Sequence, residues 1–310
     1  MKKIISLFVI ATMIFGAMSL TASANDCTST SQFILDGTTV NKLTADINAD
    51  TTVQIDVGQS IIVDLNGHTW AYSDIVLKVI GGDSVAKVYD SSAAKTGKIV
   101  SSGADALDIS NGTLIIENIT VDGGAGGSDA VFAQGGNVTI KGCTLTAGKA
   151  GLDADNRSSS AGVPVVATIS DTTFAASNDG DGRNCAIELR NFTEDEKITL
   201  TGNNVFGTTK ILLKNFTGTS DAVIVAGEGA TVSFSAPVAH SNPEYKAQDI
   251  TYSYEAPEGG DTPADPETPD TPADPETPDN PSTGDAFIVV ALTVAAVAFA
   301  GVVVSKKIRA

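Results

Sequence analysis

Two acidic tracts hold the residue types from which a site could be built. Gly151-Leu-Asp-Ala-Asp-Asn156 carries Asp153 and Asp155, and Asn178-Asp-Gly-Asp-Gly-Arg183 carries Asp179, Asp181 and Arg183, with Glu188 and Arg190 just downstream. Carboxylates alternating with small residues suit Ca2+, which takes several oxygen ligands in flexible geometry. Two carboxyl groups at fixed separation, one protonated and one ionised, are what glycoside hydrolysis needs. An Arg or Lys base beside a cation is what proton abstraction next to a uronate carboxylate needs. The expectation is a glycan or cation site formed by Asp153, Asp155, Asp179 and Asp181 with Arg183 beside it, and Ca2+ is assigned to Asp179 and Asp181. The competing account is that Asp and Gly form solvated turns, because they tolerate positive φ and bond their own backbone. No residue is assigned as catalytic.

Other chemistries find little material. The histidines are His68 and His240, the single tryptophan is Trp70, and no triad spacing, phosphate loop or zinc motif occurs. Trp70 could serve as a sugar-stacking face or as packing. Cys27, Cys143 and Cys185 are too few for a disulfide framework and read as buried thiols or one incidental pair. Asn66, Asn118 and Asn203 each follow a strand-like run and are expected to stack as a turn ladder.

The elements that must position these residues are short strands. Ser60-Ile-Ile-Val-Asp-Leu65, Thr113-Leu-Ile-Ile-Glu117, Asn137-Val-Thr-Ile-Lys141, Ala167-Thr-Ile-Ser170 and Lys197-Ile-Thr-Leu-Thr201 alternate or run apolar, and Gly, Asn, Asp and Ser break them. Setting Val63, Val88, Ile116, Ile140, Ile169 and Leu200 as equivalent gives separations of 25, 28, 24, 29 and 31 residues. A period in this range, with several small strands per repeat, predicts an all-β solenoid whose coils stack their apolar side chains. A β-sandwich would use the same strands but has no reason to repeat.

Val63-Asp-Leu-Asn-Gly-His-Thr69, Ile116-Glu-Asn-Ile119 and Ile140-Lys-Gly-Cys-Thr144 resemble the turns of right-handed parallel β-helix proteins of the pectate-lyase-like group. The resemblance spans about residues 51–234. It implies a right-handed coil and brings polysaccharide lyases and glycoside hydrolases into consideration.

The ends set topology. Residues 1–24 run from Met1-Lys2-Lys3 through an apolar stretch to Ala22-Ser23-Ala24, the three parts of a secretory signal peptide. The β-helix ectodomain is then expected over 25–254 and a linker over 255–279, where Thr262–Asp270 repeats letter for letter as Thr271–Asp279. Proline with intervening carboxylates favours a disordered, extended stalk, and the two repeats could reach roughly 56 Å at the polyproline rise. Residues 280–284, Asn280-Pro281-Ser282-Thr283-Gly284, precede an uncharged apolar stretch at 286–304, expected as a transmembrane helix, and a basic tail at 305–310. This order resembles the sorting signal of Gram-positive surface proteins, whose pattern is L-P-x-T-G. Here Asn280 stands where Leu is usual. The resemblance implies cleavage by a sortase between Thr283 and Gly284 and attachment to peptidoglycan.

The net charge is −18. Setting aside Lys2, Lys3, Lys306, Lys307, Arg309 and Asp285 leaves 14 basic against 36 acidic residues, a net of −22. Such a surface repels nucleic acid and anionic membranes. The reading is an exported, adhesin-like protein of a Gram-positive cell surface that binds glycan or protein through its solenoid. The alternative is a wall-attached polysaccharide lyase or glycoside hydrolase.

Overall fold

The computed structural model describes residues 23–256 except 125–127, 157–162, 177–183, 194, 208–209 and 217. The chain divides into two units, Met1–Gly259 and Gly260–Ala310, and every described residue lies in the first. The segments at 1–22 and 257–310, including the stalk repeats, residues 280–284, the apolar stretch 286–304 and the tail, lie outside the described residues. Among the described residues no helix is long and apolar enough to cross a membrane.

The described unit is an all-β solenoid of about seven turns. Three columns of strands wind along it. The first face stacks Val53–Ile55, Leu77–Ile80, the opening of Leu107–Glu117 and of Val131–Lys141, Ala150–Asp155, Cys185–Arg190 and Lys210–Lys214, all in parallel. The second stacks Asp36–Leu43, Ser60–Asp64, Val85–Tyr89, the closing halves of the same two long strands, Val165–Ser170, Lys197–Thr201 and Ile224–Ala226. The third stacks Ile47–Asn48, Thr69–Tyr72, Lys98–Ser101, Thr120–Asp122, Thr144–Ala147 and Thr173–Ala176.

The six anchor residues meet in direct register, Val63 on Val88, then Ile116, Ile140, Ile169 and Leu200. All six are fully buried. The period exists because alternate side chains of a strand face one way, and a coil must present an apolar residue at the same point each time to leave no gap in the stack. The first face adds its own column, Leu77, Leu107, Val131, Leu152, Ile187 and Ile211. The third adds Ile47, Trp70, Ile99, Val121, Leu145 and Phe174. Trp70 is fully buried and meets Phe33 edge-on at 5.2 Å, so its indole packs the core and offers no face to a sugar.

The corners need backbone that few residues adopt. Glu117, Lys141, Ser170 and Thr201 are register partners, and the residues after them, Asn118, Gly142, Asp171 and Gly202, all have φ between 52° and 63°. Gly and Asn or Asp take this left-handed conformation at least cost. A Cβ on Gly142 would lie 2.5 Å from Oδ1 of Asn118, because each polar side chain lies over the glycine of the next coil. The expected ladder of Asn66, Asn118 and Asn203 is thus not one ladder. Asn66 reaches back to the carbonyl of Leu43 at 3.1 Å, and Asn203 contributes its backbone N–H to Asp171. A side-chain ladder forms at a different corner, where Asn215 Nδ2 donates to Asn191 Oδ1 at 3.1 Å.

Cys27, Cys143 and Cys185 are buried free thiols. At the far end the strand Tyr245–Tyr254 pairs antiparallel with Lys210–Lys214 and with Ala230–Phe234. This pairing occupies the N–H and C=O groups that the last coil of the first face would otherwise leave open.

Candidate functional site

The outer side of the first face is where the acidic residues gather. Leu152 and Ala154 enter the core, so Asp153 and Asp155 of the same strand point outward. Ile187 and Leu189 do the same for Glu188 and Arg190. The parallel register then sets Phe132, Asp153, Glu188 and Leu212 in one row and Asp155, Arg190 and Lys214 in the next. Outward here does not mean wet: Asp153, Asp155 and Glu188 are all 0% exposed. They lie on strands, not in solvated turns, and neither sequence-based account anticipated this.

Two cations hold the cluster. Nζ of Lys149 lies 2.6 Å from Oδ2 of Asp153, 2.7 Å from Oδ2 of Asp129 and 3.8 Å from Oε2 of Glu188. The Arg190 guanidinium donates from Nε to Oδ1 of Asp153 at 2.9 Å and from Nη2 to its Oδ2. The same group reaches Asp155 through Nη1 at 3.2 Å and Glu188 through Nε at 3.1 Å, and it lies over the Phe132 ring at 5.3 Å. Backbone donors complete the arrangement. The Ala150 N–H donates to Oδ1 of Asp129 at 3.0 Å, and the Asp129 N–H donates to Oδ1 of Asp105 at 2.8 Å. Asn191 Nδ2 donates to Oδ1 of Asp155 at 2.6 Å.

Asp129, Asp153, Asp155 and Glu188 draw on Lys149 and Arg190 as their cations, and a buried charge without a partner is costly. The groups divide accordingly. Burial opposes the charge on Asp153, but Lys149 and Arg190 outweigh it and hold that carboxyl below its ordinary range. Burial, reinforced by the charge of Asp153, pushes Asp129 well up and Glu188 up to about 7. Burial likewise raises Asp105. For Lys149 burial works against the ammonium, and Asp153, Asp129 and Glu188 more than compensate. The cluster therefore sets carboxyls of unequal acidity around one ammonium, an arrangement suited to proton transfer.

Of the expected site residues, the structure brings Asp153 and Asp155 together with Glu188 and Arg190. Asp179, Asp181 and Arg183 lie outside the described residues, and with them the Ca2+ assignment. Among the described residues no group of three His, Cys, Asp or Glu is placed to hold a metal. Sequence reasoning missed Asp129, Lys149, Asp105 and Phe132. Each lies on a different coil or turn from Asp153 or faces away from an obvious motif, and only the stacking register would have found them.

A second feature lies on the outer side of the second face. Val40, Ile62, Val85, Lys87, Tyr89 and Ile115 line a cleft of about 440 Å3. Lys87 stands in the row between Ile62 and Ile115, reaches Glu117 at 2.8 Å and lies 5.5 Å from the Tyr89 ring centre, and Asp36 and Ser60 add polar groups to the aliphatic lining. No protein-family model, curated protein or solved structure matches the chain.

Proposed function

We propose that the chain is an exported surface protein, tethered through its C-terminal segment to the wall of a Gram-positive cell, that displays the solenoid to bind glycan or protein. The observation that carries the reading is the placement of the folded unit. Its first strand begins at Ala24, the last residue of the leader-like segment, and its last strand ends at Tyr254, ahead of the proline-acid repeats that start at Thr262. Those repeats, then Asn280-Pro-Ser-Thr-Gly284, the apolar stretch and the basic tail follow in the order of a sorting signal. A right-handed coil of the pectate-lyase-like kind belongs to the same reading. The second-face cleft supports the binding role, because aliphatic side chains beside one aromatic ring and a few polar and charged groups suit a sugar ring or a partner's side chain.

The full chain in a sortase-bearing Gram-positive host tests both halves. Wall digests are expected to yield a chain that ends at Thr283 joined to a peptidoglycan fragment, and Thr283→Ala should leave it in the membrane fraction. An unprocessed C-terminus in the wild type would remove the sorting step. Displayed on cells, the wild type should retain ligands from a glycan or surface-protein array, and Tyr89→Ala should lose them at least tenfold. Glycan turnover would replace the display reading with a wall-attached lyase or hydrolase.

A further inference from the structure

We propose that Lys149 and Asp129 join through their side chains in an intramolecular amide bond, formed once per molecule after folding and tying two successive coils together. The geometry is that of a built reaction site. Nζ of Lys149 lies 2.7 Å from Oδ2 of Asp129, and the other oxygen, Oδ1, already accepts the Ala150 N–H at 3.0 Å. A backbone donor on Oδ1 is what the oxyanion of a tetrahedral intermediate needs. Asp153 Oδ2 lies 2.6 Å from the same nitrogen, and Glu188 Oε2 3.8 Å from it. Lys149 and Asp129 are 5% and 1% exposed, so water neither competes as nucleophile nor readily reverses the product.

The two carboxyls in contact with Lys149 differ in fitness as electrophile. Arg190 binds both oxygens of Asp153, which keeps it a carboxylate, and a carboxylate resists nucleophilic attack. Asp129 has no such clamp, and burial favours its neutral acid. A proton passes from the ammonium to Asp129, leaving amine and acid. The nitrogen then attacks Cγ of Asp129, Asp153 takes the proton that the nitrogen sheds, and the Cγ–N bond forms. Protonated Glu188 gives its proton to Oδ2 as the Cγ–Oδ2 bond breaks, and Oδ2 leaves as water. Proton transfer from Asp153 back to Glu188 restores both. The sum is ammonium plus carboxylate giving amide plus water, with no oxidant or co-reactant. The surrounding anions keep most of Lys149 as the ammonium, which makes the reaction slow, but a bond made once needs no turnover. The product replaces a buried ammonium–carboxylate pair by a neutral amide, and Arg190 remains as the cation on Asp153.

Mass spectrometry of the full chain tests this. Tryptic digestion of the denatured wild type should give a branched peptide joining Ile99–Lys141 to Gly142–Arg157, one water lighter than its parts, with no cleavage after Lys149. Recovery of the linear peptide Gly142–Lys149 in full would overturn the proposal, and a closed loop within Gly142–Arg157, one water lighter and not joined to Ile99–Lys141, would overturn the choice of Asp129. Lys149→Arg should restore the linear mass at Asp129. Asp129→Asn should still branch but lose ammonia in place of water, because a side-chain amide is also attacked. Glu188→Gln should retain the solenoid's circular dichroism and slow branching at least tenfold. Branching at the wild-type rate in that variant would overturn the role given to Glu188.

Discussion

Two regions of this molecule are both largely dry and chemically opposite. Inside the solenoid, Val63, Val88, Ile116, Ile140, Ile169 and Leu200 stack as aliphatic side chains with no charge to satisfy. Against the outer side of the first face, Asp129, Lys149, Asp153 and Glu188 are nearly as enclosed, with 12% of the Arg190 side chain exposed beside them, but this group must satisfy charge. The inner column is a matter of shape. Hydrophobic burial is non-directional and roughly proportional to area, so any coil that presents an aliphatic residue of suitable volume will fit. The outer cluster is a matter of balance, since removing one member leaves its partners buried and unpaired. The comparison teaches that burial alone does not tell what a substitution will do, whereas the number of obligations a side chain leaves behind does.

The widest separation between the two regions should come from Arg190→Ala. It strips Asp153 of two donors and Asp155 and Glu188 of a cation, and loss of one partner from a buried pair costs about 3–5 kcal/mol. Urea unfolding at pH 7 measures it, and a loss below about 1 kcal/mol would show that the cluster is wetter than its enclosure implies. The loss should shrink as pH falls, because the orphaned carboxyls take up protons. Ile116→Ala comes next, with a loss of about 2–4 kcal/mol from lost transfer energy and an unfilled gap. That loss should be the same at pH 5 and pH 8, since the thiol against the Ile116 carbonyl, Cys143, is pushed by burial up to about 11, and a pH-dependent loss would break the distinction between shape and balance.

The smallest expected effect is in the wild type itself. Glu188 binds its proton more tightly folded than unfolded, with a folded value near 7 against an ordinary 4.5. Between those values the folded state holds more protons, so this group's contribution to stability is present below pH 4.5 and is lost as pH rises toward 7. Asp153 acts in the opposite direction. The urea midpoint should fall from pH 5 to pH 7.5, and Glu188→Gln should flatten that slope. An unchanged slope would assign it to the general acidity of the surface instead.

How much could be read in advance differs between the same two regions. The anchors were legible because a solenoid repeats its demand at every coil, and the six positions chosen from spacing proved to be register partners. The positive-φ corner was half legible. Asn118 was chosen correctly for its turn, but Gly142, Asp171 and Gly202 share its column, because the requirement is for a backbone conformation that Asn, Asp and Gly each meet. Of the acidic site, Asp153 and Asp155 were visible as residues, and their burial was not.

The sequence by itself determined the solenoid, since side-chain alternation along a strand and apolar recurrence between coils are local and periodic properties of the chain. It also determined the acidic balance and the order of segments from which a leader, a stalk and a sorting-type end are expected. Only the tertiary structure decided that Asp129, Lys149, Asp153, Glu188 and Arg190 form one cluster, and that they do so out of water. The physical reason is that these contacts cross from coil to coil over 20 to 40 residues of chain at positions with no common motif, and their energies depend on enclosure. Enclosure is a property of the stacked coils as a whole.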